Sequence, residues 1–320
     1  MFDNDDNSSD DDFGALFVAE DPMAAVFYFR GIDIDEATDG RQWTATFTFN
    51  FNGKVDLRCT ATFEAPANGV VVECLGAFVL AIGLCMLPWY WMGFATPRIV
   101  VARSALAVQV RRRDGSRRSC PVALATEQQR FWNTLYGHVL LEFMYVNKLD
   151  WPVPRLEVEG GGEGEETTAT DAAGSASNPP PAADRRVLLP LGGGKDSLVA
   201  WHLARQEGLR PALLYVCDGA GEYHASWRLR GLVRQMAAED AESSAPSSDG
   251  EGLGSEPHLV QHVFANATFE QHARSYLRPC GHPWAALVLF DAALVCAMTG
   301  IRKVPRRGDA GAFCAYRSRP

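Results

Sequence analysis

The chain has 320 residues, a formal net charge of −9 and 47% hydrophobic residues. This length allows about two domains with substantial cores. Eight of the acidic residues and none of the basic ones fall in the first 29 residues, so the remainder is close to neutral. That balance excludes a broad nucleic-acid-binding surface, because such a surface concentrates lysine and arginine.

The spacing of the cysteines and the sequence of the N-terminus indicate the cellular compartment of the protein. The eight cysteines form no C-x-x-C pair, which excludes a zinc knuckle and gives no sign of a disulfide framework. No basic segment followed by an apolar core opens the chain, so a secretory signal is not indicated. We therefore expect reduced cysteines and a cytoplasmic protein.

The first predicted elements are a tail and a hairpin. Residues 1–20 are rich in Asp, Asn and Ser, and we expect them to be disordered because they bury little apolar surface. Residues 43–65 alternate threonine with aromatic residues around Asn52 and Gly53, a pattern typical of a β-hairpin.

The apolar stretch at residues 74–95 has two interpretations. It carries no charge over a length that could cross a membrane. Pro88 and the aromatic cluster after it divide the stretch, however, and this fits a buried helix that ends at Pro88 and continues as an extended segment.

Further strands and a helix complete an N-terminal α+β domain at residues 21–156. The segment 98–113 predicts one or two strands, and the basic run 111–118 predicts a solvated turn at Asp114 and Gly115. In residues 127–150 a spacing of four predicts a helix with one apolar face. The members of this face are Phe131, Leu135, Val139 and Phe143.

Residues 157–185 contain almost no large apolar side chain and predict a low-complexity linker. A second domain, at 186–304, begins with a strand at 187–191, a helix at 197–206 and a strand at 212–217, which form a βαβ unit. A disordered insert at 237–257, a strand at 259–265 and a helix at 283–300 follow. Residues 305–320 are expected to be an irregular tail. The predicted fold class is therefore α/β, with the α+β domain followed by a parallel-sheet domain.

A glycine loop joins the first strand and helix of this unit. It comprises Gly192, Gly193, Gly194, Lys195, Asp196 and Ser197. Glycines let the backbone approach a ligand, and amides at a helix N-terminus bind anions, so the loop predicts phosphate binding. Lys195 adds a cation, Ser197 a hydroxyl group, and Asp196 a carboxylate that could hold Mg²⁺ together with phosphate oxygens. Neither the Walker A nor the Rossmann spacing fits.

The loop resembles the S-G-G-x-D-S loop of the PP-loop ATP pyrophosphatases, with Gly192 in place of the first serine. The sequence G-G-G-K-D-S is most similar to the ATP-dependent UDP-N-acetyl-α-D-muramoyl-L-alanyl-L-glutamate epimerases. The segments "FWNTLYGHVLLEFMYVNKLD" and "CGHPWAALVLFDAALVCAMTGI" also resemble that family. The family has a soluble helix where residues 74–95 lie, which favours the buried-helix interpretation.

The resemblance implies an isomerase that uses ATP and Mg²⁺. It would adenylate the terminal glutamate carboxylate of a UDP-MurNAc-dipeptide-type substrate, invert its α-carbon, and release AMP and pyrophosphate. The implied partner is a small nucleotide-peptide, with no nucleic acid and no membrane. The alternatives are another PP-loop adenylating enzyme, or a nucleotide-binding protein without activity. The family continues beyond Gly300 and Ile301 with a segment that this chain lacks, so we expect a C-terminally truncated domain.

The acid and base for proton transfer are not identified by these patterns. His282 is a candidate through the Gly-His match, although a lone histidine beside an apolar helix is more often a structural hydrogen-bonding residue. Asp218 follows the second strand, where it could meet a nucleotide or form a turn. Cys217 and Cys280 have no activating neighbour in sequence and are expected to be inert.

Overall fold

A computed structural model describes residues 22–65, 75–160, 185–192, 194–217, 226–243, 257–264 and 283–301, with single positions between 269 and 281. The acidic tail, residues 161–184 of the predicted linker and the tail at 305–320 lie outside the described residues.

Within the described residues, ten strands form one mixed sheet. In chain order they are β1 (Val26–Glu36), β2 (Gln42–Phe51), β3 (Val55–Glu64), β4 (Arg98–Val101), β5 (Ala107–Arg111), β6 (Arg117–Pro121), β7 (Leu156–Val158), β8 (Arg186–Pro190), β9 (Arg210–Cys217) and β10 (His258–Val263). Their order across the sheet is β6-β5-β1-β2-β3-β10-β9-β8, and β4 and β7 form a branch from β1.

The sheet has an antiparallel part and a parallel part that are continuous. β1, β2 and β3 form an antiparallel meander, and β8, β9 and β10 are parallel. β10 pairs antiparallel with β3, with His262 opposite Ala61. The sheet therefore runs without a break through both predicted domains.

Five α-helices are described, and they cover both faces of the parallel part and one face of the antiparallel part. They are α1 (Gly76–Met92), α2 (Thr126–Val146), α3 (Lys195–Gln206), α4 (Trp227–Ser243) and α5 (Trp284–Thr299). Successive strand residues point to opposite faces. Leu188 and Leu214 accordingly lie in the large core with α1 and α5, whereas Val187, Leu189 and Leu213 pack with α3 and α4.

The predicted hairpin at 43–65 is confirmed as β2 and β3. Asn52 and Gly53 have φ angles of 51° and 73° at the turn. The Gly53 N–H donates to Asn50 Oδ1 at 2.5 Å, and the Lys54 N–H donates to the Phe51 carbonyl at 2.8 Å. Asparagine and glycine tolerate these left-handed angles best, so the sequence signal and the geometry have the same cause.

The prediction that the apolar helix ends at Pro88 is wrong. α1 continues through Pro88 to Met92, and 14 of its 17 residues are buried. A helix with no polar side must lie inside protein or lipid. Here it lies between the sheet, α2 and α5, and among the described residues no helix is long and apolar enough to cross a membrane.

The prediction of which residues form the apolar face of α2 is also wrong. Phe131 is 49% exposed, Leu135 and Val139 are half-buried, and only Phe143 of the four lies fully in the core. The buried face is rotated around the helix because α2 packs on α1. It comprises Trp132, Tyr136, Leu140, Phe143 and Met144.

Two segments expected to be irregular contain regular structure. β7 extends into the first two residues of the predicted linker and pairs with β4. α4 runs on to Ser243, inside the predicted insert at 237–257. Alanine and glutamate in that stretch are good helix formers, which the low-complexity composition concealed. The turn at Gly115 and the helix at 283–300 follow the sequence predictions, and Gly300 ends α5 with a φ of 71°.

Candidate functional site

The glycine loop lies where the sequence places it, between β8 and α3. β8 is formed by three consecutive buried aliphatic residues, and α3 packs on it through Trp201 and Ala204. The helix begins at Lys195, two positions before the predicted start. Lys195, Asp196 and Ser197 therefore form its first turn, at the carboxyl ends of the parallel strands, where open α/β sheets bind ligands.

The fold itself gives no reason for glycine at two positions of this loop. A Cβ placed on Gly192 or Gly194 would meet no atom within 4 Å, and neither residue has a positive φ. Gly194 is extended, with φ −91° and ψ 171°. The space that a side chain would take is open, as a loop that lets an anion reach its backbone requires.

The first turn of α3 supplies donors. The N–H groups of Lys195, Asp196 and Ser197 precede the first intrahelical bond, in which the Leu198 N–H donates to the Gly194 carbonyl at 3.4 Å. They lie at the positive end of the helix dipole, so an anion is stabilised there. The Ser197 hydroxyl donates to the Gly194 carbonyl at 2.9 Å, and it would have to leave that bond to donate to a phosphate.

The charged side chains of the loop face solvent. Lys195 and Asp196 are both exposed. No group of three potential metal ligands occurs among the described residues. One carboxylate fits Mg²⁺ only when phosphate oxygens and water complete its coordination. Asp196 also stabilises the N-terminus of α3 by its position alone.

Other residues singled out in the sequence contribute less. Gly193, Asp218 and His282 lie outside the described residues. Cys217 is buried at the end of β9, with its sulfur 3.8 Å from the Val260 carbonyl oxygen. Burial, and then the charge of Glu142, raise the pKa of the Cys280 thiol, so it is a poor nucleophile.

A buried pair that the sequence reasoning missed joins β10 to α5. His262 Nε2 lies 2.9 Å from Asp291 Oδ2, and both side chains are 0% exposed. Burial raises the pKa of Asp291, and the charge and hydrogen bond of His262 oppose that rise. The other atoms of the pair, His262 Nδ1 and Asp291 Oδ1, have no hydrogen-bond partner. Neither side chain can reach a substrate, so the pair is not a candidate for proton transfer.

A signal for this pair does exist in the sequence. His262 lies between Val260 and Phe264 on the buried side of β10, where the other buried residues are apolar. Asp291 interrupts an otherwise apolar helix. Buried polar groups are normally paired, so two such interruptions in neighbouring elements indicate a contact between them.

A family model described as the MurL N-terminal domain matches residues 115–232. The match confirms the resemblance to the UDP-MurNAc-dipeptide epimerase family. The MurL segment includes α2, β8, the glycine loop, α3 and β9, so the candidate site lies inside it. Neither the curated proteins nor the solved structures gave a match.

Proposed function

We propose that this protein is an ATP-dependent epimerase acting on the terminal glutamate of a UDP-MurNAc-dipeptide-type substrate. The observation that carries the proposal is the glycine loop: two exposed glycines without a packing role precede the open N-terminus of α3, inside the segment that matches MurL. The use of ATP accords with the cytoplasmic location expected from the sequence.

The need for ATP follows from the chemistry of inversion. The α-proton of a glutamate is a very weak acid while its carboxylate is charged, because its removal places two negative charges on adjacent atoms. ATP would supply an adenylyl group, whose transfer to the carboxylate removes the first of these charges and releases pyrophosphate.

The loop residues have distinct roles in this proposal. The N–H groups of Lys195, Asp196 and Ser197 would hold the leaving pyrophosphate, and the Lys195 ammonium would offset its charge. Asp196 would hold Mg²⁺ through the phosphates. Donors that are fixed before the reaction need no reorganisation as negative charge develops, which is what makes them effective.

The test is turnover of the purified full chain with ATP, Mg²⁺ and UDP-MurNAc-L-Ala-L-Glu in deuterated water. We expect release of AMP and pyrophosphate, and deuterium at the glutamate α-carbon. Lys195→Ala should lower both rates about 10- to 1000-fold. Lys54→Ala, which removes an exposed lysine from the β2–β3 turn, is the matched control and should leave both rates unchanged.

Two results would contradict the proposal. ATP binding without pyrophosphate release would favour the inactive nucleotide-binding alternative. Pyrophosphate release without deuterium incorporation would indicate an adenylating enzyme of another kind.

A further inference from the structure

The solvent-facing side of α2 carries a continuous row of exposed side chains, which we call the seam. The seam residues are Phe131, Thr134, His138, Leu141 and Tyr145, and all five are exposed. Their spacing alternates between three and four residues, which is the spacing that packs one helix along another. Leu141 is 57% exposed and Tyr145 is 84% exposed, so large apolar surfaces of this seam face solvent.

The seam is nearly symmetric about its centre. Phe131 and Tyr145 lie seven residues to either side of His138, and Thr134 and Leu141 lie four and three residues away. When the order of exposed side chains is similar from either end of a helix, an antiparallel copy of that helix places similar side chains opposite each other. Such self-complementarity is what a two-fold interface requires, because the same surface serves both subunits.

Charges at the ends of α2 have the same symmetry. Glu127, in the first turn, lies eleven residues before His138, and Lys148 lies ten residues after it, two positions past the end of the helix at Val146. In an antiparallel pair each Glu127 would face the Lys148 of the other copy. Glu127 pairs with Arg130 in its own helix at 2.7 Å, but its side chain is 80% exposed and remains accessible.

An apolar pocket opens next to Phe131. Its volume is about 460 Å³, and it lies between α1, α2 and α5. Its lining includes Phe78, Leu84, Leu124, Trp132 and Phe290, with Glu127 and Gln128 as polar members. A tyrosine side chain suits this lining, because its ring is apolar and its hydroxyl group needs a polar partner.

We propose that two copies of this chain form a dimer through the α2 seam, antiparallel about a two-fold axis at His138, with Tyr145 of each copy in the apolar pocket beside Phe131 of the other. The register brings these two residues together, since both lie about 10 Å from the axis along a helix with a rise of 1.5 Å per residue. The seam extends over a helix of 21 residues.

Sedimentation of the full chain tests the dimer. We expect a mass of twice 35.0 kDa at micromolar concentration. Leu141→Glu and Tyr145→Ser should each raise the dissociation constant at least about tenfold. Val199→Glu is the control, because Val199 on α3 is 56% exposed and should leave the dimer intact. Circular dichroism checks that each variant is folded.

Charge reversal tests the antiparallel register. Glu127→Lys and Lys148→Glu should each weaken the dimer, and the double variant should regain most of the wild-type affinity. His138→Cys should form a covalent dimer on oxidation, since a residue on the axis meets its own copy, whereas the wild type and Val199→Cys should not. A monomeric wild type, or a dimer that both Leu141→Glu and Tyr145→Ser leave intact, would overturn the proposal.

Discussion

Tyr136 donates its hydroxyl hydrogen to the main-chain oxygen of Leu84 at 2.7 Å, and Leu84 lies four residues before Pro88. In a regular helix that oxygen accepts the N–H of residue 88, which proline does not have. The side chain of α2 therefore replaces the hydrogen bond that α1 lacks. Burial raises the pKa of Tyr136 well above its usual value, so the hydroxyl group keeps its proton.

Removal of the Tyr136 hydroxyl group should destabilise the protein. Tyr136→Phe leaves the Leu84 carbonyl without a partner in a site where Tyr136 is 0% exposed. An unsatisfied buried group costs about 1–3 kcal/mol. We expect the free energy of unfolding in urea to fall by that amount.

Two further variants separate this hydrogen bond from general packing. Tyr28→Phe removes a hydroxyl group from a half-buried tyrosine of β1 and should change stability little. Pro88→Ala restores an N–H to α1, so Tyr136→Phe should cost less in that background. An equal cost in both backgrounds would mean that the Leu84 carbonyl does not depend on Tyr136.

Substitution by alanine at two helical glycines should change the stability of the protein in opposite directions. A Cβ on Gly83 of α1 would lie 2.6 Å from ring atoms of Phe29 and Phe47, which are both buried. Overpacking of this kind costs about 1–3 kcal/mol. A Cβ on Gly137 of α2 would meet no atom of another part of the protein within 4 Å, so Gly137→Ala should stabilise the helix by up to about 1 kcal/mol. Urea unfolding measures the free energy of unfolding of both variants. A Gly83→Ala protein as stable as the wild type would contradict the close packing of α1 on the sheet.

The buried carboxyl group of Asp291 should make stability depend on pH. Burial raises its pKa above the ordinary value of 3.8, against the opposing effect of His262, so the folded protein holds a proton that the unfolded chain has lost. The contribution of Asp291 to the free energy of unfolding should therefore fall as pH rises above about 4. Cys85 of α1, whose pKa is raised by burial and then by the charge of Asp291, is a titratable neighbour in this region.

Asp291→Asn keeps the size of the side chain and removes its titration. The difference in stability between wild type and variant, measured in urea from pH 4 to pH 7, should shift in favour of the variant as pH rises. A constant difference over that range would show that Asp291 has the same pKa in the folded and unfolded chains.

Some parts of this fold could be predicted from the sequence because they depend on the conformational preferences of individual residues. Asn52, Gly53 and Gly115 occupy turns because of their own backbone preferences, which act whatever lies around them. The helix through Pro88 was not predictable, because the group that compensates for it is Tyr136, on another element. The buried face of α2 was missed for the same reason, since contact with α1 selects one of two apolar sides. The glycine loop was found because its spacing repeats a known motif, whereas the His262–Asp291 pair belongs to no motif.

The glycine loop offers a test that separates binding from folding. Gly192 is exposed, has no positive φ, and would bring a Cβ into open space, so Gly192→Val should change the free energy of unfolding by less than about 0.5 kcal/mol. The same side chain would occupy space in front of the α3 amides and should weaken ATP–Mg²⁺ binding at least about tenfold. Calorimetric titration and urea unfolding measure the two effects. Gly231→Ala, at an open glycine of α4, is the matched control and should leave binding unchanged. A Gly192→Val protein that binds ATP as tightly as the wild type would show that phosphate does not lie against this loop.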